Sequence, residues 1–255
     1  TGDGAQLFCS GQIDIGDASR PYKEAERALC AQNGIEFIEL VVAIDGLTVL
    51  TSHDNASLTC LASPDLYALM GMESIGFNSW SDANALAAEI GAPNAPYPDA
   101  DLVITAPGEE SGTYDSFVEF AIADIADERG QDVNLRPDYV ASPNDNVIIE
   151  GIAGSPTSLG FVGYAFYAAN ESRVKALAID GGDGCVAPTP ATIADGTYPY
   201  SRLLYIYVNK ASAQRPEVAA YVDLYLSEQG LASIDEAGYV RLADYAPTLA
   251  AWQGR

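Results

Sequence analysis

Short runs rich in β-branched and aromatic residues alternate along this chain with stretches whose apolar positions recur every three or four residues. A pattern that switches between period two and period 3.6 predicts an α/β protein. The first helix signal is Ser19 as N-cap with Pro21 just inside it. Its buried face would be Tyr22, Ala25, Ala28 and Leu29, and Gly34 would stop it. Residues 35–44 read as a strand, and a second β-rich run, 46–51, follows a break at Asp45-Gly46. Ser63-Pro64 and Ser81 open two helices, the first through Leu66, Leu69 and Met70, the second through Ala85 and Ile90 to Gly91. Residues 102–105 predict a short strand, followed by a loop at 106–110. A helix then starts at Ser111, with Phe117, Phe120, Ala121 and Ile125 on one face and Gly130 as its stop. Asp145-Asn146 caps a helix carrying Val147, Ile148 and Ile152, ended by Gly154. Residues 160–164, 174–179 and 202–208 read as strands. Pro216 begins a helix with Val218, Tyr221, Val222 and Tyr225 on one face, ended by Gly230. The Gly/Pro-rich stretches at 91–101 and 180–197 read as loops, so composition marks no domain boundary.

The charge changes this picture in one respect. Over 255 residues, 12 Lys and Arg stand against 36 Asp and Glu, a formal charge of −24, while 48% of the chain is hydrophobic. That apolar fraction excludes a disordered acidic tail. The acidity excludes duplex nucleic acid and anionic membrane as partners. No apolar run approaches the roughly 18–20 residues of a membrane helix; the nearest, 40–50 and 159–169, are broken by Asp45, Gly46 and Gly163. The chain shows no basic start followed by an apolar segment, as is also true of an exported protein after its signal is removed. Cys9, Cys30, Cys60 and Cys185 form no CxxC pair, and the single His53 cannot complete a Cys/His zinc site, so no metal is expected. Two disulfides in an exported protein would account for four cysteines, with three pairings open, as would four buried thiols in a cytosolic one.

Candidate chemistry gathers in three places. Pro107-Gly108-Glu109-Glu110-Ser111-Gly112-Thr113 sets a Ser-Gly-Thr triplet at a helix start, directly after a strand. Helix-start N–H groups lack internal partners and sit at the positive end of the dipole; Gly112 admits a ligand close to the backbone, and Ser111 and Thr113 add hydroxyls. This is an anion seat without net charge, although a plain Ser N-cap has the same pattern. Asp14-Ile15-Gly16-Asp17-Ala18-Ser19-Arg20-Pro21 again runs from a strand into a helix start. An Arg there opposes the dipole unless an anion is bound or an acid pairs with it. Asp45 interrupts an apolar strand; it is either a turn residue of an Asp-Gly pair or a carboxylate that accepts a proton from a protonated oxyanion. Hydrolytic chemistry is poorly served. There is one histidine, no Gly-x-Ser-x-Gly elbow and no GxxxxGK[ST] loop.

These motifs recur in an order that resembles the phosphate-binding proteins of bacterial phosphate ABC transporters. To the segments already quoted are added Phe8-Cys9, Ala43-Ile44-Asp45-Gly46-Leu47-Thr48-Val49, Trp80-Ser81-Asp82 and Tyr114-Asp115-Ser116-Phe117. Further on come Asn144-Asp145-Asn146-Val147, Leu159-Gly160-Phe161-Val162-Gly163-Tyr164, Gly184-Cys185-Val186-Ala187-Pro188 and Tyr200-Ser201-Arg202. The resemblance covers nearly the whole chain. It implies a two-lobed α/β fold of the type II periplasmic-binding-protein class that closes on its ligand like a clamp. It carries phosphate contacts onto Ser19, Arg20, Ser111, Gly112 and Thr113, with Asp45 as the proton-accepting carboxylate. Glu110 stands where many relatives have Asp, and Pro107 where others have Arg, so Arg20 would be the only arginine at the site. The family's usual N-terminal strand-loop-helix is expected to be lacking here, with Thr1-Gly2-Asp3-Gly4 as the turn that follows it. The first lobe would hold 1–47 and 202–255, the second 48–201, with a hinge near 45–52 and 198–204. That division favours the disulfides Cys9–Cys30 and Cys60–Cys185.

The function so implied is capture of inorganic phosphate in an interlobe cleft and delivery to a membrane ABC permease. The protein would be a periplasmic or extracellular monomer, anchored or not through a missing N-terminus, with no cofactor and no catalysis. The alternatives are a receptor for another tetrahedral oxyanion such as sulfate or molybdate, a phosphate sensor or surface protein outside transport, and a phosphate-ester hydrolase using Ser111.

Overall fold

The alternation resolves into ten strands and twelve α-helices in a computed structural model that describes residues 1–237 and 239–255. In chain order these are α1 (Gly2–Cys9), β1 (Ile15–Ala18), α2 (Glu24–Gln32), β2 (Phe37–Thr51), β3 (Cys60–Ala62), α3 (Ser63–Met70), α4 (Asn84–Ile90) and β4 (Val103–Ala106). Then follow α5 (Gly112–Phe117), α6 (Ala123–Arg129), β5 (Val140–Ala141), α7 (Asp145–Ala153), β6 (Ser158–Gly163), α8 (Tyr164–Ala168), β7 (Lys175–Ala176), β8 (Ala178–Asp180) and β9 (Cys185–Val186). The chain finishes with α9 (Pro190–Ala194), β10 (Ser201–Asn209), α10 (Pro216–Tyr225), α11 (Glu228–Ala237) and α12 (Ala246–Gln253). It divides into two compact units. The first comprises Thr1–Asp45, Ile193–Gly196 and Ser201–Arg255; the second comprises Gly46–Thr192 and Thr197–Tyr200.

In the first unit β10 lies between β1, its antiparallel neighbour, and β2. Side chains alternate across a strand, so each strand feeds both faces. Ile38, Leu40 and Val42 join Ile206 and Val208 on one face, covered by Val218 and Val222 of α10 and Trp252 of α12. Tyr205 and Tyr207 point to the other face, where Phe8 of α1 and Cys30 of α2 close over them. The Cys9–Cys30 disulfide ties these two helices together.

In the second unit the order is β2-β6-β4-β5, with β6 antiparallel to β2 and parallel to β4, and β7 paired to β2. Every residue of β6 except Gly163 is buried, as expected of a strand covered on both sides. Leu50 and Val162 pack under Ile148, Ile149 and Ile152 of α7. Phe161, on the opposite side, stacks on Phe117 of α5 with centroids 4.1 Å apart. A separate sheet, β3-β8-β9, carries the Cys60–Cys185 disulfide. Asp65, fully buried in the first turn of α3, accepts hydrogen bonds from Ala62 N–H, from the backbone and side-chain amides of Asn94, and from Tyr97 O–H at 2.6 Å.

Several expectations are corrected. α2 starts at Glu24 rather than after Ser19, and Ala25 and Ala28 are exposed. Tyr22 is held out of the helix because its ring stacks on Tyr207 at 3.6 Å and its N–H donates to the Tyr207 hydroxyl. Residues 35–51 are not two runs with a turn. β2 passes straight through Asp45-Gly46, because Ile44 bridges to Val240 and Leu47 N–H donates to Tyr200 on either side. Residues 174–179 split into β7 and β8, which join different sheets. The helix from Ser111 carries a π-turn at Val118–Ile122 before α6. Val147 is exposed while Ile149 is buried. α10 ends at Tyr225, and Gly230 lies inside α11, where a Cβ would come 2.3 Å from the carbonyls of Leu224 and Tyr225. Residues 1–4 are not a turn but open α1.

Candidate functional site

β4 ends at Ala106, fully buried, and the chain passes through Pro107 and Gly108 to the N-terminus of α5. Three anchors hold this loop. Tyr139 donates to the Pro107 carbonyl at 2.6 Å, Ser111 N–H donates to Gly108 at 3.0 Å, and Ser142 N–H donates to Ala106. Behind it Tyr114 and Phe117 are buried, and the Tyr114 hydroxyl accepts from Leu135 N–H at 3.2 Å. Ser111 is the N-cap, and its Oγ accepts from Thr113 N–H at 3.1 Å. N–H groups in the first turn of a helix lack intrahelical partners and lie at the positive end of its dipole; here the one on Thr113 is taken by the Ser111 cap.

Gly112 shares one property with Gly163. Its φ is not positive, so the backbone does not require glycine, and a Cβ built there meets no protein atom within 4 Å, so packing does not require it either. Gly160 and Gly151 contrast with it, for their Cβ atoms would lie 2.1 and 2.5 Å from Thr105. At 112 the space beside the α-carbon is open and the residue is exposed. Beside it the carboxylates of Glu109 and Glu110 are exposed, and Glu110 folds back over Gly108.

In the first unit the exit from β1 places Ser19 and Arg20 in succession. Ser19 N–H donates to the Thr1 hydroxyl at 3.0 Å. The Arg20 guanidinium forms a two-pronged pair with Glu26, both bonds 2.8 Å. Glu26 also accepts from Lys23 N–H at 2.7 Å and so caps α2. Held chiefly by Arg20, its carboxyl is lowered to about 2. Arg20 therefore precedes the helix rather than sitting in its first turn, and the dipole argument made for it does not apply.

Asp45 stands in mid-strand in the same unit, with Arg202 Nη2 3.3 Å from its Oδ2. Burial pushes its carboxyl up and the arginine pulls it back. The structure thus brings Ser111, Gly112 and Thr113 together at one helix start, sets Ser19 and Arg20 side by side, and joins Asp45 to Arg202. Glu26 and Arg202 were not assigned roles from sequence. Acids are so numerous here that no single Glu stands out, and the partner of Asp45 lies on a strand far along the chain. His53, the one histidine, has its Nε2 3.0 Å from the Glu171 carbonyl.

The geometry can now be set beside known proteins. A profile of the PBP superfamily domain matches residues 1–229. The chain is 31% identical over 244 residues to the phosphate-binding protein PstS of Staphylococcus aureus, covering 94% of this chain and 67% of that one. This chain belongs to the PBP superfamily, in the family of phosphate-binding proteins. It is also similar to Protein SphX of Synechococcus elongatus, 35% identical over 252 residues, 98% of this chain and 69% of the relative. Among solved structures, a possible phosphate binding protein from Planctomyces limnophilus superposes with a TM-score of 0.85 at 35% identity, over 100% of this chain and 85% of that one. An ABC-type phosphate transport receptor from Vibrio cholerae, 22% identical with a TM-score of 0.65, shares the fold over 94% of this chain and 84% of that one. The family's mixed α/β periplasmic-binding-protein fold is therefore the fold of this chain.

Proposed function

We propose that this protein binds inorganic phosphate outside the cytoplasm and delivers it to a membrane ABC permease, without making or breaking a bond. The observation that carries the reading is the open space at the α-carbon of Gly112, in a Ser-Gly-Thr helix start where neither backbone conformation nor packing requires a glycine. A tetrahedral oxyanion fits such a seat because it accepts several hydrogen bonds at once from N–H and O–H groups pointing the same way. The relatives' names, phosphate-binding proteins, supply the identity of the anion. The proposed contacts are Ser111, Gly112 and Thr113 from the second unit, and Ser19, Arg20 and Asp45 from the first. Arg20 enters this set with its guanidinium held, and its charge largely balanced, by Glu26. Two disulfides accord with an oxidising compartment and hence with a place outside the cytoplasm. The protein would act as a monomer with phosphate as its one ligand.

Calorimetric titration of the chain with phosphate and with sulfate at matched pH tests the reading. Tight one-to-one phosphate binding with sulfate at least about a hundredfold weaker, about 2.7 kcal/mol, is expected. Preference for sulfate, or no heat with phosphate, would overturn it.

A further inference from the structure

Asp45 and Arg202 approach each other from two strands of the first unit, β2 and β10. Their side chains are 24% and 19% exposed, and Nη2 lies 3.3 Å from Oδ2. The backbone around Asp45 is fixed on one flank by the Ile44–Val240 bridge, and Ile44 is itself buried. A carboxylate so placed is costly as an anion unless a cation faces it. We propose that Arg202 is a positioning residue that keeps Asp45 ionised and oriented, and that through Asp45 it makes the site select a protonated oxyanion over a fully ionised one. This rests on the phosphate reading above and adds to it the residue that sets the selectivity.

The chemistry follows from donor and acceptor counts. An ionised carboxylate only accepts hydrogen bonds, so it welcomes the P–OH of hydrogen phosphate and repels sulfate, which has no proton to give. The neutral acid would donate instead and would tolerate sulfate. Which form is present depends on the balance between burial, which raises the carboxyl, and Arg202, which lowers it. Among the described residues, Arg202 is the charged group that acts on Asp45. Arg241 follows Val240 on the segment bridged to Ile44, and it is paired with Asp235 at 2.6 Å. Selectivity is therefore present above the folded-state pKa of Asp45 and lost as pH falls through it. Removing the guanidinium moves that loss to higher pH.

The test compares phosphate and sulfate affinities of wild type, Arg202→Gln, Arg202→Lys and Asp45→Asn from about pH 5 to about pH 9. Dividing each variant's phosphate-to-sulfate ratio by the wild-type ratio at the same pH cancels the titration of phosphate itself. Arg202→Gln is expected to lose selectivity at a higher pH than wild type, by about tenfold in the ratio where the curves diverge. Arg202→Lys should restore the wild-type profile, and Asp45→Asn should be unselective throughout. A merely structural Arg202 would weaken both anions equally and leave the pH of the loss unmoved, which overturns the proposal, as does a folded Arg202→Lys that restores nothing. Wild type that binds no phosphate would fail the phosphate reading itself, a result separate from either of these.

Discussion

Glycine at 112 and glycine at 160 answer different demands. Gly160 is dictated by the fold, since its Cβ would lie 2.1 Å from the Thr105 carbonyl, whereas Gly112 faces open space. Gly112→Ala should therefore leave thermal stability unchanged or slightly raised, because alanine is the better helix former. Phosphate affinity should fall about tenfold or more, since the new methyl group would stand where the anion approaches the amide. Calorimetry and a melting curve on the same variant separate the two effects; equal affinity would remove Gly112 from the site. The Ser-Gly-Thr signal was legible in the sequence because it is local, a cap and its neighbours within three residues. The state of Arg20 was not. An arginine beside an abundance of acids has many candidate partners, and only the start of α2 at Glu24 brings Glu26 onto it.

At the scale of elements, α2 and the β1 exit are coupled through that one glutamate. Glu26 caps the helix through Lys23 N–H and holds Arg20, and its carboxyl is lowered from an ordinary 4.5 to about 2. A depressed carboxyl contributes stability that is fully present above its unfolded value and is lost as pH falls through its folded value. Acid weakening between 4.5 and about 2 should thus be shallower in Glu26→Gln than in wild type, and at neutral pH the variant should be the less stable. Urea unfolding midpoints across that window check it; parallel curves would show that the pair is not coupled to folding. Elements bounded by strong local signals, such as Ser63-Pro64 at the start of α3 and Gly91 after α4, were legible in sequence. The π-turn after α5 and the passage of β2 through Asp45-Gly46 were not, because ladder partners distant in the chain overrode a pair that favours turns.

For the whole molecule, a charge of −24 should repel an approaching anion even though the proposed seat combines neutral donors with an arginine balanced by Glu26 and a carboxylate balanced by Arg202. Salt screens that repulsion over about 10 Å at 0.1 M and about 3 Å at 1 M. The phosphate association rate, followed by tryptophan fluorescence after rapid mixing, should rise with added salt, the opposite of electrostatic steering. A rate that is flat or falls would show that the field at the seat is not set by the net charge. By itself the sequence determined the α/β alternation, the family and the local helix-start motif, since each is written in neighbouring residues or in an ordered set of short motifs. Only the tertiary structure decided that Arg20 answers to Glu26 and Asp45 to Arg202, and that residues 174–179 serve two sheets. Those outcomes depend on which side chains burial brings within hydrogen-bond reach. That is a property of packed strands and helices and not of any stretch of chain alone.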